Sequence, residues 1–148
     1  MPEQNIEILL VEDNPNDVEL TLHALRREKL ANRIHVVRDG AEALDFLFQR
    51  AQPSLPPKVV LLDLKLPKVD GLEVLRQIRS DVRTKALPVV ILTASREEKD
   101  MVNGYKLGVN SYIQKPVDFE AFREVIRQLG LYWLVVNQPP PPNAFRPD

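Results

Sequence analysis

The chain has no cysteine, so disulfides, thiolate nucleophiles and thiolate metal sites are excluded, and cysteine usage leaves the redox compartment open. No long hydrophobic run is present. The apolar stretch Ile8-Leu9-Leu10-Val11 is cut short by Glu12, and the start Met-Pro-Glu-Gln-Asn lacks a basic flank, so neither a signal peptide nor a membrane span is indicated. There is no excess of one charge either: 20 basic and 21 acidic residues leave a formal charge of −1, against a polyphosphate-binding or membrane-attracted surface. No basic stripe interleaved with aromatics suggests nucleic-acid binding, and no repeat at solenoid period is visible. His23 and His35 each stand alone in sequence and read as surface or packing residues. These absences point to a soluble, cytoplasmic protein.

What is present is a core. A chain of 148 residues that is 44% hydrophobic fits one compact domain. Five short runs rich in aliphatic residues recur at residues 6–11, 34–37, 59–62, 89–92 and 111–114. Their near-continuous apolar character suits strands buried on both faces of a parallel sheet, with the weaker second and fifth runs as edges. Helical spacings alternate with them: Val18, Leu22 and Leu25; Leu44, Leu47 and Phe48; Leu72, Leu75 and Ile78; Met101, Val102 and Tyr105; and Phe119, Phe122, Ile126 and Leu129. Asn14-Pro15, Ser95 and Asp118 are placed to cap helices, and Gly40, Gly71 and Gly108 fall where turns or close approaches are expected. Strict alternation predicts an α/β, doubly wound sheet with right-handed crossovers, although periodicity does not give the strand order.

The chemistry lies at the ends of the runs. Asp63 closes the third, Glu12-Asp13 follows the first, Thr93 ends the fourth, and Lys115 comes one step past the fifth. If the runs are parallel neighbours, these groups converge beyond the carboxyl ends of the strands, where open sheets bind ligands. An acidic pair can hold a hard cation such as Mg²⁺, and a nearby carboxylate can act as nucleophile toward a phosphoryl group. Each residue also has an ordinary reading: an acidic loop beside a helix start, a strand-ending turn, a solvated lysine.

Glu12-Asp13, Asp63, Thr93 and Lys115-Pro116, with thirty residues from Asp63 to Thr93 and twenty-two from Thr93 to Lys115, resemble the receiver domains of two-component response regulators. The resemblance covers roughly residues 5–130. It implies a flavodoxin-like (βα)₅ fold with strand order 2-1-3-4-5, and phosphorylation of Asp63 by a sensor histidine kinase. Mg²⁺ would be held by Glu12, Asp13, Asp63 and the backbone carbonyl of Lys65. Thr93 and Lys115 would contact the phosphoryl group, Tyr112 matches the switch aromatic, and the Lys115-Pro116 bond would be cis. Glu12 stands where aspartate is commoner. The side chain of Lys65, two residues past the acceptor, leaves the dephosphorylation rate open.

The expected organisation is a receiver domain over residues 1–130 and an apolar, then proline-rich, extension over residues 131–148. No output domain fits after residue 130, so the protein is expected to signal by docking, as a phosphoacceptor and not as an enzyme in the ordinary sense. The proline-containing connection over residues 49–58 and the Leu-Gly-Leu-Tyr-Trp-Leu tail are similar to the small regulators paired with bacterial (cyanobacterial) phytochrome kinases. Tyr132, Trp133, Leu134 and Val136 are the candidate homodimer interface, the alternative being a tail folded over its own sheet. Two competing functions differ in class. A metal-dependent phosphatase resembling the haloacid dehalogenases wants a second acid where Lys65 stands. A phosphorylation-independent docking module leaves the intact set Asp63, Thr93 and Lys115 unexplained.

Overall fold

The computed structural model describes residues 6–29, 33–50, 56–116 and 118–139. Three strands are buried at every position: β1 (Ile8–Val11), β3 (Val59–Leu62) and β4 (Val89–Thr93). The less buried β2 (Ile34–Val37) and β5 (Ser111–Gln114) form the two edges of a parallel sheet of order β2-β1-β3-β4-β5. This is the flavodoxin-like order expected from the resemblance.

Alternation along the strands divides the core into two layers. Leu9, Val11, Val60, Leu62, Val89 and Ile91 face the side covered by α2 (Gly40–Asp45) and α3 (Gly71–Ser80), where Ala43, Val74, Leu75 and Ile78 are buried. Ile8, Leu10, Val59, Leu61, Val90 and Leu92 face α1 (Pro15–Arg27) and α5 (Phe119–Gly130), meeting Val18, Leu25, Phe122 and Ile126. Each Val, Leu, Ile or Phe among them contributes about 1.5–3 kcal/mol on burial. Helix α2 runs on into a π-helical turn, Phe46–Arg50. Of the connection over residues 49–58, residues 51–55 lie outside the described residues.

Helix α1 starts as its sequence predicts: the Asn14 side chain accepts from the backbone N–H groups of Asn16 and Asp17, with Pro15 at the first position. Asp118 likewise accepts from Glu120 and Ala121 N–H at the start of α5. Helix α4 (Glu98–Lys106) departs from expectation twice. Ser95 is not its cap, because the helix begins after Glu97 and the Ser95 hydroxyl is donated to Asp100 instead. The apolar residues Met101, Val102 and Tyr105 are 45%, 44% and 55% exposed, whereas Asp100 and Gly104 turn inward. The cause is Gly104. A Cβ there would lie 3.1 Å from Ile91 Cδ1 and 3.5 Å from the Tyr112 ring, so the helix meets the sheet on its smallest residue. Phe119, expected on the inner face of α5, is also half exposed and has the Arg123 guanidinium over its ring.

The tail continues α5 as a π-helical segment, Leu131–Val136. Here the interface expectation is corrected for two residues. Leu134 is buried in the layer formed by Phe122 and Ile126, and Trp133 packs against that layer, because the helix keeps its direction and returns these side chains to the chain's own sheet. Tyr132, Val135 and Val136 stay exposed at 50%, 61% and 57%. The prolines at 140–142 lie outside the described residues. No helix among the described residues is long and apolar enough to cross a membrane.

Candidate functional site

Register delivers the acids to one place. The ladder extends one residue past β1 and β3: Glu12 N–H donates to Val37 O at 3.0 Å, and Asp63 N–H donates to Val11 O at 3.0 Å. Lys115 N–H donates to Thr93 O at 2.7 Å at the far edge. Glu12, Asp13, Asp63, Thr93 and Lys115 therefore sit at the carboxyl edge of the sheet, as the sequence predicts. Glu12, Asp63 and Thr93 are buried and Asp13 is exposed. Glu12, Asp13 and Asp63 each offer a carboxylate oxygen, and these oxygens lie within 4.8 Å of one another. An all-oxygen, acidic donor set with one exposed member fits a hard divalent cation that keeps part of its water.

The Asp63 carboxylate is oriented by its own loop. Its Oδ1 accepts from Leu64 N–H at 2.8 Å, leaving Oδ2 turned toward the Lys115 ammonium 3.5 Å away. Gly71 makes this loop possible: its N–H donates to Leu64 O at 2.9 Å, and a Cβ on it would lie 2.3 Å from Asp63 O and 2.6 Å from Leu64 Cα. Backbone cannot rotate away as a flexible side chain can. Gly71→Ala is expected to cost about 3 kcal/mol, the upper part of the range for overpacking, and to weaken divalent-cation binding with it. Thermal melts with and without Mg²⁺ check both; an unchanged melt would show that the loop has room.

Lys115 sits closer to other acids than to Asp63. Its ammonium is 2.6 Å from Glu12 Oε1 and 2.7 Å from Asp17 Oδ2, and its side chain is only 9% exposed. Burial works against its charge, but Asp17, Glu12 and Asp63 outweigh it and hold the pKa above the usual lysine value. Glu12 is pushed the other way for an acid. Burial first, then the charge of Asp63, raise it from 4.5 to about 7 despite the Lys115 ammonium.

Asp17 joins these acids from the first turn of α1, and its place four residues beyond Asp13 is the sequence signal for it. Nothing in the sequence marks Asp100 among its charged neighbours. It is 5% exposed and accepts from the Ser95 hydroxyl at 2.6 Å. Tyr112 stands on β5 with its ring against α4, and its buried hydroxyl makes no hydrogen bond within normal geometry to the described residues. Thr93 Oγ1 accepts from Ser95 N–H at 3.3 Å.

The Lys115–Pro116 bond, expected cis, is trans, and no cis peptide occurs among the described residues. Proline leaves only about 0.5–1 kcal/mol between the isomers. The trans form already brings the ammonium to Glu12 and Asp17, so that contact does not require the other isomer.

A model of the response regulator receiver domain matches residues 8–127. The chain belongs to the response regulator receiver family. Among its relatives, a probable methanogenesis regulatory protein, FilR2 of Methanothrix harundinacea, is 45% identical over 137 residues, which cover 91% of this chain and 88% of that one. The bacteriophytochrome response regulator RtBRR is 52% identical, with a TM-score of 0.70 over 96% of this chain and 89% of that one. The phosphorylated cyanobacterial phytochrome response regulator RcpA is 37% identical, with a TM-score of 0.84 over 93% of this chain and 99% of that one. This receiver is thus related to phytochrome response regulators, and also to a regulator with a different named role.

Proposed function

We propose that Asp63 accepts a phosphoryl group from the phosphohistidine of a sensor kinase, with Mg²⁺ held by Glu12, Asp13, Asp63 and the Lys65 carbonyl, and that the phosphorylated protein signals by docking. The observation that carries this reading is the Asp63 carboxylate itself, oriented through Oδ1 by Leu64 N–H, with Oδ2 turned toward the Lys115 ammonium that would meet the phosphoryl group. When bound, the cation offsets charge on the phosphoryl oxygens. The chain's own residues do the rest. Asp63 attacks phosphorus in line, a new O–P bond forms, and the bond to the donor nitrogen breaks. Lys115 can turn from Asp17 toward the phosphoryl oxygens, and Thr93, with its hydroxyl at the edge of β4, meets another. Displacement of Thr93 and Tyr112 would shift a pre-existing equilibrium at the surface of α4, β5 and α5.

A phytochrome-type histidine kinase is the proposed partner, on the strength of the likeness to RcpA and RtBRR. Phosphotransfer from a purified bacterial phytochrome kinase, faster than from an unrelated histidine kinase, tests it. The proposed assembly is a homodimer through the exposed Tyr132, Val135 and Val136, with residues 131–148 as an extension of the receiver body. The double substitution Tyr132→Ser, Val136→Ser, which leaves Leu134 in its core, is expected to yield monomers by light scattering; an intact dimer would place the interface elsewhere.

The acceptor is tested by incubation with Mg²⁺ and acetyl phosphate, followed by intact mass. One added phosphoryl group is expected, absent in Asp63→Asn and absent with chelator. Labelling that survives Asp63→Asn would move the acceptor, and no labelling of the native protein would leave a receiver fold used as a constitutive docking module.

A further inference from the structure

Lys65 follows the acceptor by two residues, yet its ammonium is turned away from the site. It pairs with Asp100 Oδ2 at 3.4 Å, and the carboxylates that raise its pKa are Asp100 first, then Glu97 and Asp70. Asp100 is the only one of these three that is buried, with a side chain 7% exposed beside a lysine 61% exposed. Its position is fixed twice over. Helix α4 turns it inward on the Gly104 face, and the Ser95 hydroxyl donates to the same oxygen that Lys65 approaches. The Ser95 bond and the Lys65 charge together hold the carboxyl below its usual range, so it is ionised at neutral pH. Close packing at Gly104 sets which face of α4 turns inward, and on that face Asp100 is the buried charge that Lys65 meets.

We propose that Asp100 is a positioning residue for Lys65: it competes with the phosphoryl group on Asp63 for the lysine ammonium and thereby sets the lifetime of the phosphorylated state. This inference rests on the acceptor reading of Asp63. Hydrolysis of the acyl phosphate brings a water oxygen to phosphorus as the bond from phosphorus to the Asp63 oxygen breaks, releasing inorganic phosphate and restoring the carboxylate. An ammonium lying over the phosphoryl oxygens stabilises their charge before reaction and occupies the approach of that water. Drawn onto Asp100, it does neither. The choice between the two positions is a contest between one carboxylate and a doubly charged phosphoryl group. Asp100 belongs to α4, so the contest also ties the state of Asp63 to that helix.

The test follows the loss of the phosphoryl mass after acetyl phosphate is removed, in the native protein, Asp100→Asn, Lys65→Met and the double variant. Asp100→Asn is expected to slow decay about fivefold, the rate equivalent of a partly exposed ion pair. Lys65→Met is expected to speed it, and the double variant to decay like Lys65→Met alone. Equal decay of Asp100→Asn and the native protein would overturn the proposal. So would an effect of Asp100→Asn that persists without Lys65, which would mark Asp100 as merely structural. Should Asp100→Asn fail to fold, Ser95→Ala serves: it leaves the Asp100 oxygen to Lys65 alone, and must speed decay when Lys65 is present and leave it unchanged in Lys65→Met. A native protein that takes up no phosphoryl group at all would sink the acceptor reading and this inference with it, whereas labelling with lysine-independent decay would sink the inference alone.

Discussion

Lys115→Met is expected to destabilise the metal-free protein by about 3 kcal/mol at pH 8, the low end of the cost of breaking a buried ion pair. The ammonium is the cation that faces Glu12, Asp17 and Asp63 together, at 2.6, 2.7 and 3.5 Å. Methionine keeps the volume of the stem and removes the charge, so the loss is electrostatic and not a cavity. The cost is moderated because Glu12, already raised to about 7, can take up a proton when its counterion goes. Lys115 itself, with its pKa raised in the folded state, contributes stability at every pH below the ordinary lysine value. The mutant's deficit therefore follows Glu12: it is largest above about pH 7, where the native carboxylate is ionised beside its ammonium, and shrinks at lower pH, where Glu12 holds a proton in both folded proteins. Mg²⁺ should restore part of it by supplying positive charge to the same oxygens. Denaturant melts at pH 5 and 8, with and without Mg²⁺, measure all three effects; equal stability of mutant and native protein at pH 8 would mean that the acids are already neutralised without Lys115.

Much of this site is legible in the sequence, and the reason is geometric. A parallel sheet aligns the carboxyl ends of its strands, so the residue that ends each apolar run is placed by the run itself; Asp63, Glu12 and Thr93 needed no tertiary information beyond that. Lys115, one step past the fifth run, follows in the same way, whereas its distance from Thr93 has meaning only through the family resemblance. Side-chain direction on helices was less legible. The stripe Met101, Val102 and Tyr105 has helical spacing, but spacing says only that these residues share a face, not which face meets the sheet. That is decided by close approach at Gly104, a property of two elements. Asp100 escaped notice for the same reason: in sequence it is one more acid in the charged stretch Arg96-Glu97-Glu98-Lys99-Asp100. Leu134 and Trp133 read as an interface because their apolar run is too long for one helix face. The π-helical turn that follows α5 widens the spacing and returns them to the chain's own core. The isomer of the Lys115–Pro116 bond, separated by so little energy, has no sequence signal beyond family likeness.

Glu12 makes the empty and metal-bound protein respond to pH in different ways. In the unfolded chain its carboxyl titrates near 4.5, and in the folded chain near 7, because burial and the Asp63 charge disfavour its ionised form. Between those values the folded state holds a proton that the unfolded state has released. Stability of the metal-free protein therefore falls as pH rises through this window and levels off above about 7, by an amount on the order of 3 kcal/mol if Glu12 acts alone. A divalent cation on Glu12, Asp13 and Asp63 needs the ionised carboxylate, so its binding expels that proton. Apparent Mg²⁺ affinity should be flat above about pH 7 and fall toward a limit of about tenfold per pH unit below it, one proton being released per ion bound. Calorimetric titration at pH 6 and 8, in two buffers of different ionisation enthalpy, counts that proton directly. Glu12→Gln should bind Mg²⁺ more weakly and lose the pH dependence, since the amide cannot titrate and is a poorer ligand. Equal affinity of the native protein at pH 6 and pH 8 would mean that Glu12 is ionised before the metal arrives, and that Lys115, 2.6 Å away, outweighs both burial and Asp63.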